Sequence, residues 1–247
     1  MIAPALSTLA LVAGYERDLP IVRGIDFAIN TGELVVVLGP NGAGKSTLVK
    51  AIAGLVPIHS GTVRLGDRDV TTVPAHEKIR QGLAFVPQTE NIFTTLSIHE
   101  NLLVSANILP KGMRGQRIAQ LYGMFPDLAA RPSLKAGQLS GGQRQMLAVA
   151  RALIVAPSVL ILDEPSAGLS PKVATDVFRS LKTINETGVT ILLVEQNVKA
   201  ALAIAHRGVI LVDGKLRHEG PAATLAGDPI VAELYLGAHK PAPAVPA

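Results

Sequence analysis

The chain has 247 residues, of which 48% are hydrophobic and 17% are charged, and its formal net charge is +4. This length and composition allow one domain with a full hydrophobic core, and they exclude a chain that is disordered as a whole. The chain contains no cysteine, which excludes disulfide frameworks, thiolate zinc sites and cysteine nucleophiles.

The first residues, MIAPALSTLALVAGY, contain no lysine or arginine before Arg17. They therefore lack the basic leading region of a signal peptide, and we expect them to begin a strand. Further along, short β-branched runs alternate with longer helical patterns, which indicates an α/β fold around a mostly parallel sheet. The strands that we predict are nearly unbroken apolar runs, typical of strands covered on both faces, at 34–38, 83–86, 159–162, 189–194 and 209–212.

The stretch from about residue 97 to residue 153 interrupts this alternation, because it contains several helical patterns and no convincing strand. We predict a helical lobe at about residues 89–155, inserted into the core, whose first helix has a capping box formed by Ser97 and Glu100. The longest apolar stretch, 146–162, is interrupted by Arg151 and Pro157, so we predict no membrane-spanning helix. A single domain is expected over residues 1–237, followed by an extended Pro/Ala-rich tail at 238–247.

The basic residues are concentrated in the helical lobe, where seven of them lie between positions 111 and 151 with Asp127 as the one acidic residue. A solvated helical face is the ordinary explanation of such spacing. The alternative is attraction to an anionic bilayer surface.

Residues 39–47 read GPNGAGKST between an apolar strand and a helical pattern, which is the context that the motif GxxxxGK[ST] requires. Glycines let backbone amides approach an anion, and the following helix directs its positive end to the same point. We predict a triphosphate site in which Lys45 neutralises the β- and γ-phosphates and the Ser46 hydroxyl binds Mg²⁺. A glycine-rich turn that only caps a helix is the alternative. The residues assigned to nucleotide binding here are Gly39, Pro40, Asn41, Gly42, Ala43, Gly44, Lys45, Ser46 and Thr47.

Two carboxylates, Asp163 and Glu164, follow the apolar run VLIL. They should lie at the carboxyl end of a buried parallel strand, where ligands of open α/β sheets bind. Because neighbouring carboxylates repel each other, we expect a cation at this point, with Asp163 binding Mg²⁺ and Glu164 acting on the attacking water. Alternatively, the two acids mark only the end of a strand.

Residues 139–143 read LSGGQ and precede a helical run. Ser140 and Gln143 have the spacing of a second capping box, and the amides of Gly141 and Gly142 offer a second anion site. Since the loop at 39–44 already holds phosphates from its own side, we expect this second site to bind the nucleotide of another copy.

Taken together, the motifs resemble those of ATP-binding-cassette (ABC) ATPases over nearly the whole chain. GPNGAGKST corresponds to the Walker A motif, Gln88 in FVPQ to the Q-loop, LSGGQ to the signature and VLILDEP to the Walker B motif. The resemblance implies a P-loop NTPase (RecA-like) core with an N-terminal β subdomain and an inserted α-helical subdomain. It also implies ATP hydrolysis with Mg²⁺ and a head-to-tail dimer that buries two ATP molecules.

The resemblance also assigns individual roles. Tyr15 corresponds to the aromatic residue that stacks on adenine, and Gln88 to the residue that contacts Mg²⁺ or the attacking water. The signature residues Ser140, Gly141, Gly142 and Gln143 would bind nucleotide. The catalytic set is then Lys45, Gln88, Glu164 and Gln196, and the Mg²⁺ ligands are Ser46, Gln88 and Asp163. In the loop at 166–170, Ser170 replaces the aspartate of many members, and we expect it to cap the helix that begins at Pro171.

One position departs from the family pattern. The residue after ILLVE is usually histidine but is Gln196 here, and an amide can donate a hydrogen bond to the γ-phosphate but cannot titrate near neutral pH. The segments VEQN, EPSAGLSP and YLG are similar to the LivF-type ATPases of branched-chain amino acid importers. Importers of urea or short amides are a neighbouring possibility.

This resemblance implies a set of partners at the cytoplasmic face of the inner membrane. They are a second ABC ATPase subunit, identical or different, two transmembrane permease subunits and, indirectly, a periplasmic solute-binding protein, with no nucleic acid. A permease loop would sit in a groove near Gln88 and the segment TTLSIHENL. The alternatives are a cassette ATPase acting on protein or nucleic acid, and a P-loop kinase or GTPase, in which LSGGQ would have no purpose.

Overall fold

The structure is a computed structural model that describes residues 3–89, 91–228 and residue 231. The strands are β1 (Leu6–Ala13), β2 (Val22–Ile29), β3 (Leu34–Leu38), β4 (Ile58–Leu65), β5 (Arg68–Asp69), β6 (Leu83–Val86), β7 (Val159–Asp163), β8 (Thr190–Val194), β9 (Arg207–Val212) and β10 (Lys215–Pro221). The α-helices are α1 (Lys45–Ala53), α2 (Ala75–Lys78), α3 (Ile98–Ala106), α4 (Lys111–Met124), α5 (Pro126–Ala129), α6 (Gly141–Leu153), α7 (Pro171–Glu186), α8 (Val198–Leu202) and α9 (Ala222–Leu225).

The core sheet has six strands in the order β10-β9-β3-β8-β7-β6. Strands β9, β3, β8, β7 and β6 are parallel, while β10 pairs with β9 in the antiparallel direction. Every residue of β3, β7 and β8 is buried, as expected of parallel strands covered on both faces. The α/β class and the mainly parallel sheet predicted from the sequence are therefore confirmed.

The predicted strand limits agree with the structure at β3 and β6 and differ slightly elsewhere. Residue 189 does not belong to β8, because its carbonyl accepts a hydrogen bond from Asn185 Nδ2 at the end of α7 and closes a turn. Strand β7 includes Asp163, and β9 begins at Arg207, two residues earlier than predicted.

A second sheet, antiparallel in the order β2-β1-β4-β5, is formed by strands from the N-terminal part of the chain. The strand expected in the opening residues is β1. One apolar cluster joins this sheet, α1 and one face of the core sheet through residues such as Leu6, Ile25, Leu48 and Val35. Helix α1 is thus held between the two sheets, and this packing fixes the direction of its N-terminus.

The helical lobe lies between β6 and β7 and consists of helices α3, α4, α5 and α6. Among its described residues there is no strand, only a single bridge between Ser97 and Lys135, so its helical character is confirmed. The Ser97 capping box is also confirmed: Glu100 N donates to Ser97 Oγ (3.1 Å), and Ser97 N donates to Glu100 Oε2 (2.7 Å). No helix in the described part of the chain has both the length and the apolar character needed to cross a bilayer. The predicted tail at 238–247 and the YLG segment lie outside the described residues.

Three of the seven basic residues between positions 111 and 151 make hydrogen bonds within the helical lobe. Arg114 donates to Leu109 O, Arg117 to Ile154 O and Arg151 to Ser105 Oγ. The exposed members are Lys111, Arg131, Lys135 and Arg144. The solvated-face explanation therefore fits four of the seven residues, and attraction to a bilayer stays a prediction.

Candidate functional site

Four loops meet at the carboxyl edge of the core sheet, because parallel strands end on the same side. Strand β3 leads into the phosphate loop (residues 39–44), β6 into Gln88, β7 into Glu164 and β8 into Glu195 and Gln196. The strand order β3-β8-β7-β6 makes these loops neighbours although they are far apart in sequence. The topology thus collects the predicted site residues at one edge.

The phosphate loop requires glycine at its two ends. A Cβ on Gly39 (φ +153°) would lie 2.2 Å from the backbone oxygen of Leu211, which is a severe clash. Gly44 (φ +95°) is the N-cap of α1, and a Cβ there would lie 3.2 Å from Ile21 Cγ2. The two glycines therefore allow the loop to pass close to the backbone of β9 and to turn directly into α1.

Lys45, at the start of α1, bends back over the phosphate loop. Its Nζ donates to Gly39 O (2.8 Å) and Pro40 O (3.0 Å), and the side chain is 5% exposed. Burial lowers the pKa of Lys45, while the nearby Glu164 and Asp163 carboxylates raise it. A cavity of about 250 Å³ opens beside it, lined by Ile21, residues 41–47 and Glu164. This arrangement places a cation and a helix N-terminus around a space that suits a phosphate chain.

Ser46 and Asp163 lie together, as a shared metal site requires. Ser46 Oγ donates to Asp163 Oδ1 at 2.9 Å, and Asp163 is 2% exposed. Burial raises the pKa of Asp163, whereas the hydrogen bond from Ser46 and the charges of Lys50 and Lys45 lower it. A hydroxyl and a carboxylate are hard oxygen ligands, and Mg²⁺ in phosphate sites takes few protein ligands beside the substrate and water. The donor set therefore fits Mg²⁺.

Glu164 is the centre of a second cluster that contains Gln88 and Gln196. Gln196 Nε2 lies 2.8 Å from both carboxylate oxygens of Glu164, and Gln88 Nε2 lies 3.1 Å from Oε2. Glu164 has φ +48°, and its N–H donates to Val194 O at 2.9 Å. A non-glycine residue held at positive φ is strained, and such strain concentrates at functional sites. The structure thus holds one carboxylate between two neutral amide donors.

The signature segment (residues 139–143) starts helix α6 away from the phosphate loop. The predicted capping box is confirmed, since Gln143 N donates to Ser140 Oγ (3.3 Å) and Ser140 N donates to Gln143 Oε1 (3.1 Å). Ser140, Gly142 and Gln143 line another cavity, of about 470 Å³, together with residues of α7, and they are not among the residues that line the 250 Å³ cavity. The signature segment and the phosphate loop therefore line different cavities of the chain.

Packing gives the two signature glycines a second explanation. A Cβ on Gly141 would lie 2.7 Å from Leu169 Cδ2, and a Cβ on Gly142 would lie 2.5 Å from Val173 Cγ1. From the sequence alone, an anion site is the one explanation for Gly141 and Gly142. Close contact of α6 with α7 and the loop before it therefore also favours small residues at these two positions.

Tyr15 and Ser170 stand apart from this cluster. Tyr15 follows β1, is 61% exposed and is not among the residues that line the 250 Å³ cavity, so its contact with adenine stays a prediction. Ser170 occupies the N-cap of α7 and Pro171 the first helical position, as predicted. However, the Ser170 side chain makes no capping hydrogen bond, so the expectation that its hydroxyl caps the helix is wrong.

Glu195 is a site residue that the sequence argument missed. Its carboxylate accepts hydrogen bonds from Ser166 N (2.9 Å), Ser166 Oγ (2.9 Å) and Gln196 N (3.1 Å), and it is 2% exposed. Burial raises its pKa, and these hydrogen bonds oppose the rise. Glu195 thereby joins the loop after Glu164 to the loop that carries Gln196. The signal was available, because an acid follows the apolar strand ILLV just as Asp163 follows VLIL.

Comparison with known proteins adds a family and several relatives. The sequence model of the ABC transporter family matches residues 22–167. The chain is 45% identical to a probable branched-chain amino acid transport ATP-binding protein, LivF, of Archaeoglobus fulgidus, over 89% of this chain and 93% of the relative. It is 36% identical to the lipopolysaccharide export system ATP-binding protein LptB of Acidithiobacillus ferridurans, over 94% of this chain and 96% of the relative.

Solved structures with the same fold include the ADP conformation of an ATP-binding cassette of an ABC transporter. That structure has a TM-score of 0.86 and 26% identity, and the match covers 96% of this chain and 99% of the other. A dimeric, post-hydrolysis ATP-binding cassette bound to ADP and Pi has a TM-score of 0.76 and 25% identity, with 88% of this chain and 98% of the other covered. The fold with a P-loop core, an N-terminal β sheet and an inserted helical lobe is therefore confirmed.

Proposed function

We propose that this chain, which belongs to the ABC transporter family and is an ATPase coupled to transport, drives the uptake of branched-chain amino acids. The 45% identity to a LivF protein over most of both chains carries the proposal. The 36% identity to an LptB protein favours, as a second candidate, an ATPase that powers export of a lipid-linked substrate. A urea or short-amide importer remains a further alternative, as does a cassette ATPase that acts on protein or nucleic acid.

The residues at the carboxyl edge suit ATP hydrolysis. Backbone amides of the phosphate loop and Lys45 would hold the β- and γ-phosphates, exchanging the carbonyl contacts of Lys45 for phosphate oxygens. Mg²⁺, when bound by Ser46 and Asp163 with Gln88 as a third predicted ligand, would neutralise the charge on the transferring phosphoryl group. Glu164 would accept the proton of a water whose oxygen bonds to the γ-phosphorus, as the bond from that phosphorus to the bridging oxygen of ADP breaks.

A second cassette subunit would complete the site. The cavity at the phosphate loop is not lined by Ser140, Gly141, Gly142 or Gln143 of the same chain, and a structural relative is a dimer bound to ADP and Pi. We therefore propose that the signature segment binds the nucleotide of the partner subunit, while Tyr15 stacks on the adenine of its own. ATP would close the dimer because these contacts exist only in the closed state, and hydrolysis would remove them.

A groove beside Gln88 suits a loop of a transmembrane permease. It has a volume of about 350 Å³ and is lined by residues of β6, α3 and α6 and by residues that follow these elements, including Phe85, Pro87, Ile108 and Val155. Apolar residues with a few polar groups are typical of binding grooves. In this proposal two permease subunits hold a cassette domain of residues 1–237 at the cytoplasmic face of the inner membrane. A periplasmic solute-binding protein then participates indirectly, and no nucleic acid takes part.

Two measurements test the proposal. The tagged chain, purified from native membranes, should retain permease subunits, whereas retained ribosomes or DNA would support the non-transport alternative. A deletion strain should lose leucine uptake and regain it with the intact gene but not with the Glu164→Gln variant. Retained leucine uptake together with a defect in urea uptake or in lipid export would contradict branched-chain amino acid import and support the corresponding alternative.

A further inference from the structure

Arg151 in α6 contacts both the loop that follows Gln88 and helix α3. Its Nη1 donates to Asn91 O, and its Nε donates to Ser105 Oγ at 3.1 Å. The Cζ atom lies 4.6 Å from the centroid of the Phe93 ring, within the range of a cation–π contact. Burial lowers the pKa of Arg151, but an arginine side chain keeps its charge in proteins near neutral pH. One charged side chain thus joins two helices and a loop.

Asn91 continues this set of contacts toward the carboxyl edge. Its Nδ2 donates to Pro87 O and to Gln145 Oε1, both at 3.2 Å, while its own carbonyl accepts from Arg151. Pro87 directly precedes Gln88, whose amide nitrogen lies 3.1 Å from Glu164. A short series of hydrogen bonds therefore leads from α6 to the backbone that carries Gln88, and from Gln88 to the carboxylate.

Helix α3 holds the far end of the same loop. Asn101, fully buried, accepts a hydrogen bond from Phe93 N (2.9 Å) and donates to Phe93 O (2.9 Å). Phe93 is 45% exposed, and while Asn101 holds its backbone, Arg151 supports one face of its ring. The loop after Gln88 is thus held from both α3 and α6.

We propose that Arg151 is a positioning residue for Gln88, through which α6 controls where the Gln88 amide stands relative to Glu164. The proposal rests on the function proposed above. Helix α6 begins at the signature segment, and Arg151 lies ten residues, about 15 Å, further along the same rigid helix. Arg151 also lines the 350 Å³ groove proposed for the permease. A change at either place would reach the loop that carries Gln88 through this guanidinium, beside the contact of Gln145 with Asn91.

Arg117 provides a matched control, because it too is a partly buried arginine of the helical lobe. It donates to Ile154 O, Leu153 O and Gln120 Oε1, and burial lowers its pKa as it does for Arg151. Replacement of either residue by methionine keeps most of the apolar stem and removes the charge and the donors. The two variants therefore separate loss of the Gln88 contacts from general loosening of the lobe.

The first experiment is a double-mutant cycle on ATP turnover of the full chain, corrected for the folded fraction. R151M should lower kcat about 10-fold and change the KM for ATP less than about 2-fold, since the lost interaction acts on the transition state. In a Q88A background R151M should cost less than about 2-fold, whereas R117M should stay within about 2-fold in both backgrounds. Equal losses from R151M with and without Gln88 would overturn the proposal.

The second experiment does not depend on turnover. Hydrogen exchange of the Phe93 amide, which donates to Asn101, should be about 10-fold faster in R151M and unchanged in R117M, because only the first loosens the loop. Unchanged exchange in R151M would overturn the positioning role even if kcat falls. A wild-type chain without ATP turnover, alone or with its co-purified subunits, would instead contradict the proposed function, and exchange would still decide the role of Arg151.

Discussion

The carboxyl edge of the core sheet and the helical lobe bring side chains together in different ways. At the edge, Ser46 meets Asp163 and Gln88 meets Glu164 because the parallel strands before them end at the same edge of the sheet. In the lobe, Arg151 meets Asn91 and Ser105 because a helix and a loop dock through long side chains. Contacts of the first kind follow from strand order, whereas contacts of the second kind depend on rotamers and packing. Perturbations of the two regions should differ accordingly.

The largest effect is expected from a substitution at the carboxyl edge, and it should change activity without changing stability. Glu164→Gln should lower kcat at least about 10²-fold, since an amide cannot accept the proton of the attacking water, while ATP binding and unfolding free energy change little. Steady-state turnover, nucleotide binding and chemical denaturation measure these three quantities, and sedimentation with ATP measures dimer formation.

Glu186→Gln, at the exposed end of α7, is the control for this change and should leave turnover unaffected. A Glu164→Gln variant that forms no ATP-dependent dimer would contradict the closure mechanism, and one with normal turnover would remove Glu164 from the catalytic set.

The backbone of the same edge should be sensitive to single methyl groups at selected positions. Gly39→Ala should destabilise the chain by about 3 kcal/mol, because its Cβ would overlap Leu211 O and its φ is positive. Gly42→Ala, with φ +81° and no atom within 4 Å of the added Cβ, should cost only about 1 kcal/mol. Chemical denaturation measures both values. Equal costs would show that backbone strain alone, without the close approach to β9, selects glycine here.

The lobe should respond through buried polar groups. Asn101→Ala leaves the Phe93 amide without its buried acceptor and removes one of the two hydrogen bonds accepted by each of the carbonyls of Phe93 and Ser97, and should cost about 2 kcal/mol of unfolding free energy. Loss of the exposed capping hydroxyl in Ser97→Ala should cost about 1 kcal/mol. Thermal unfolding compares the two variants. If Asn101→Ala were the milder change, its hydrogen bonds could not be what fixes the loop after Gln88.

The same contrast explains which parts of the molecule the sequence predicts. The motifs predict Ser46, Asp163 and Glu164 at one nucleotide site, the family resemblance adds Gln88, and the capping boxes at Ser97 and Ser140 follow from local spacing. The contacts of Arg151 were not predictable, because nothing in its position distinguishes a docking arginine from a solvated one. Ser170 shows the same limit. The sequence predicts correctly that Ser170 occupies the N-cap of α7, but it does not predict that the hydroxyl makes no capping hydrogen bond.

The smallest effect concerns Gln196, whose amide lies beside Glu164 at the position where the family usually has histidine. Gln196 lies 2.8 Å from both Glu164 oxygens and cannot ionise, so the wild-type kcat should show no step near pH 6.5. Gln196→His should create such a step, with kcat falling about 3-fold as pH drops below about 6.5, because an imidazolium makes the adjacent carboxylate a weaker base. Gln196→Asn keeps an amide and should give a level profile at reduced rate. A wild-type profile with the same step as the histidine variant would mean that another titratable group, away from this amide, controls turnover in this pH range.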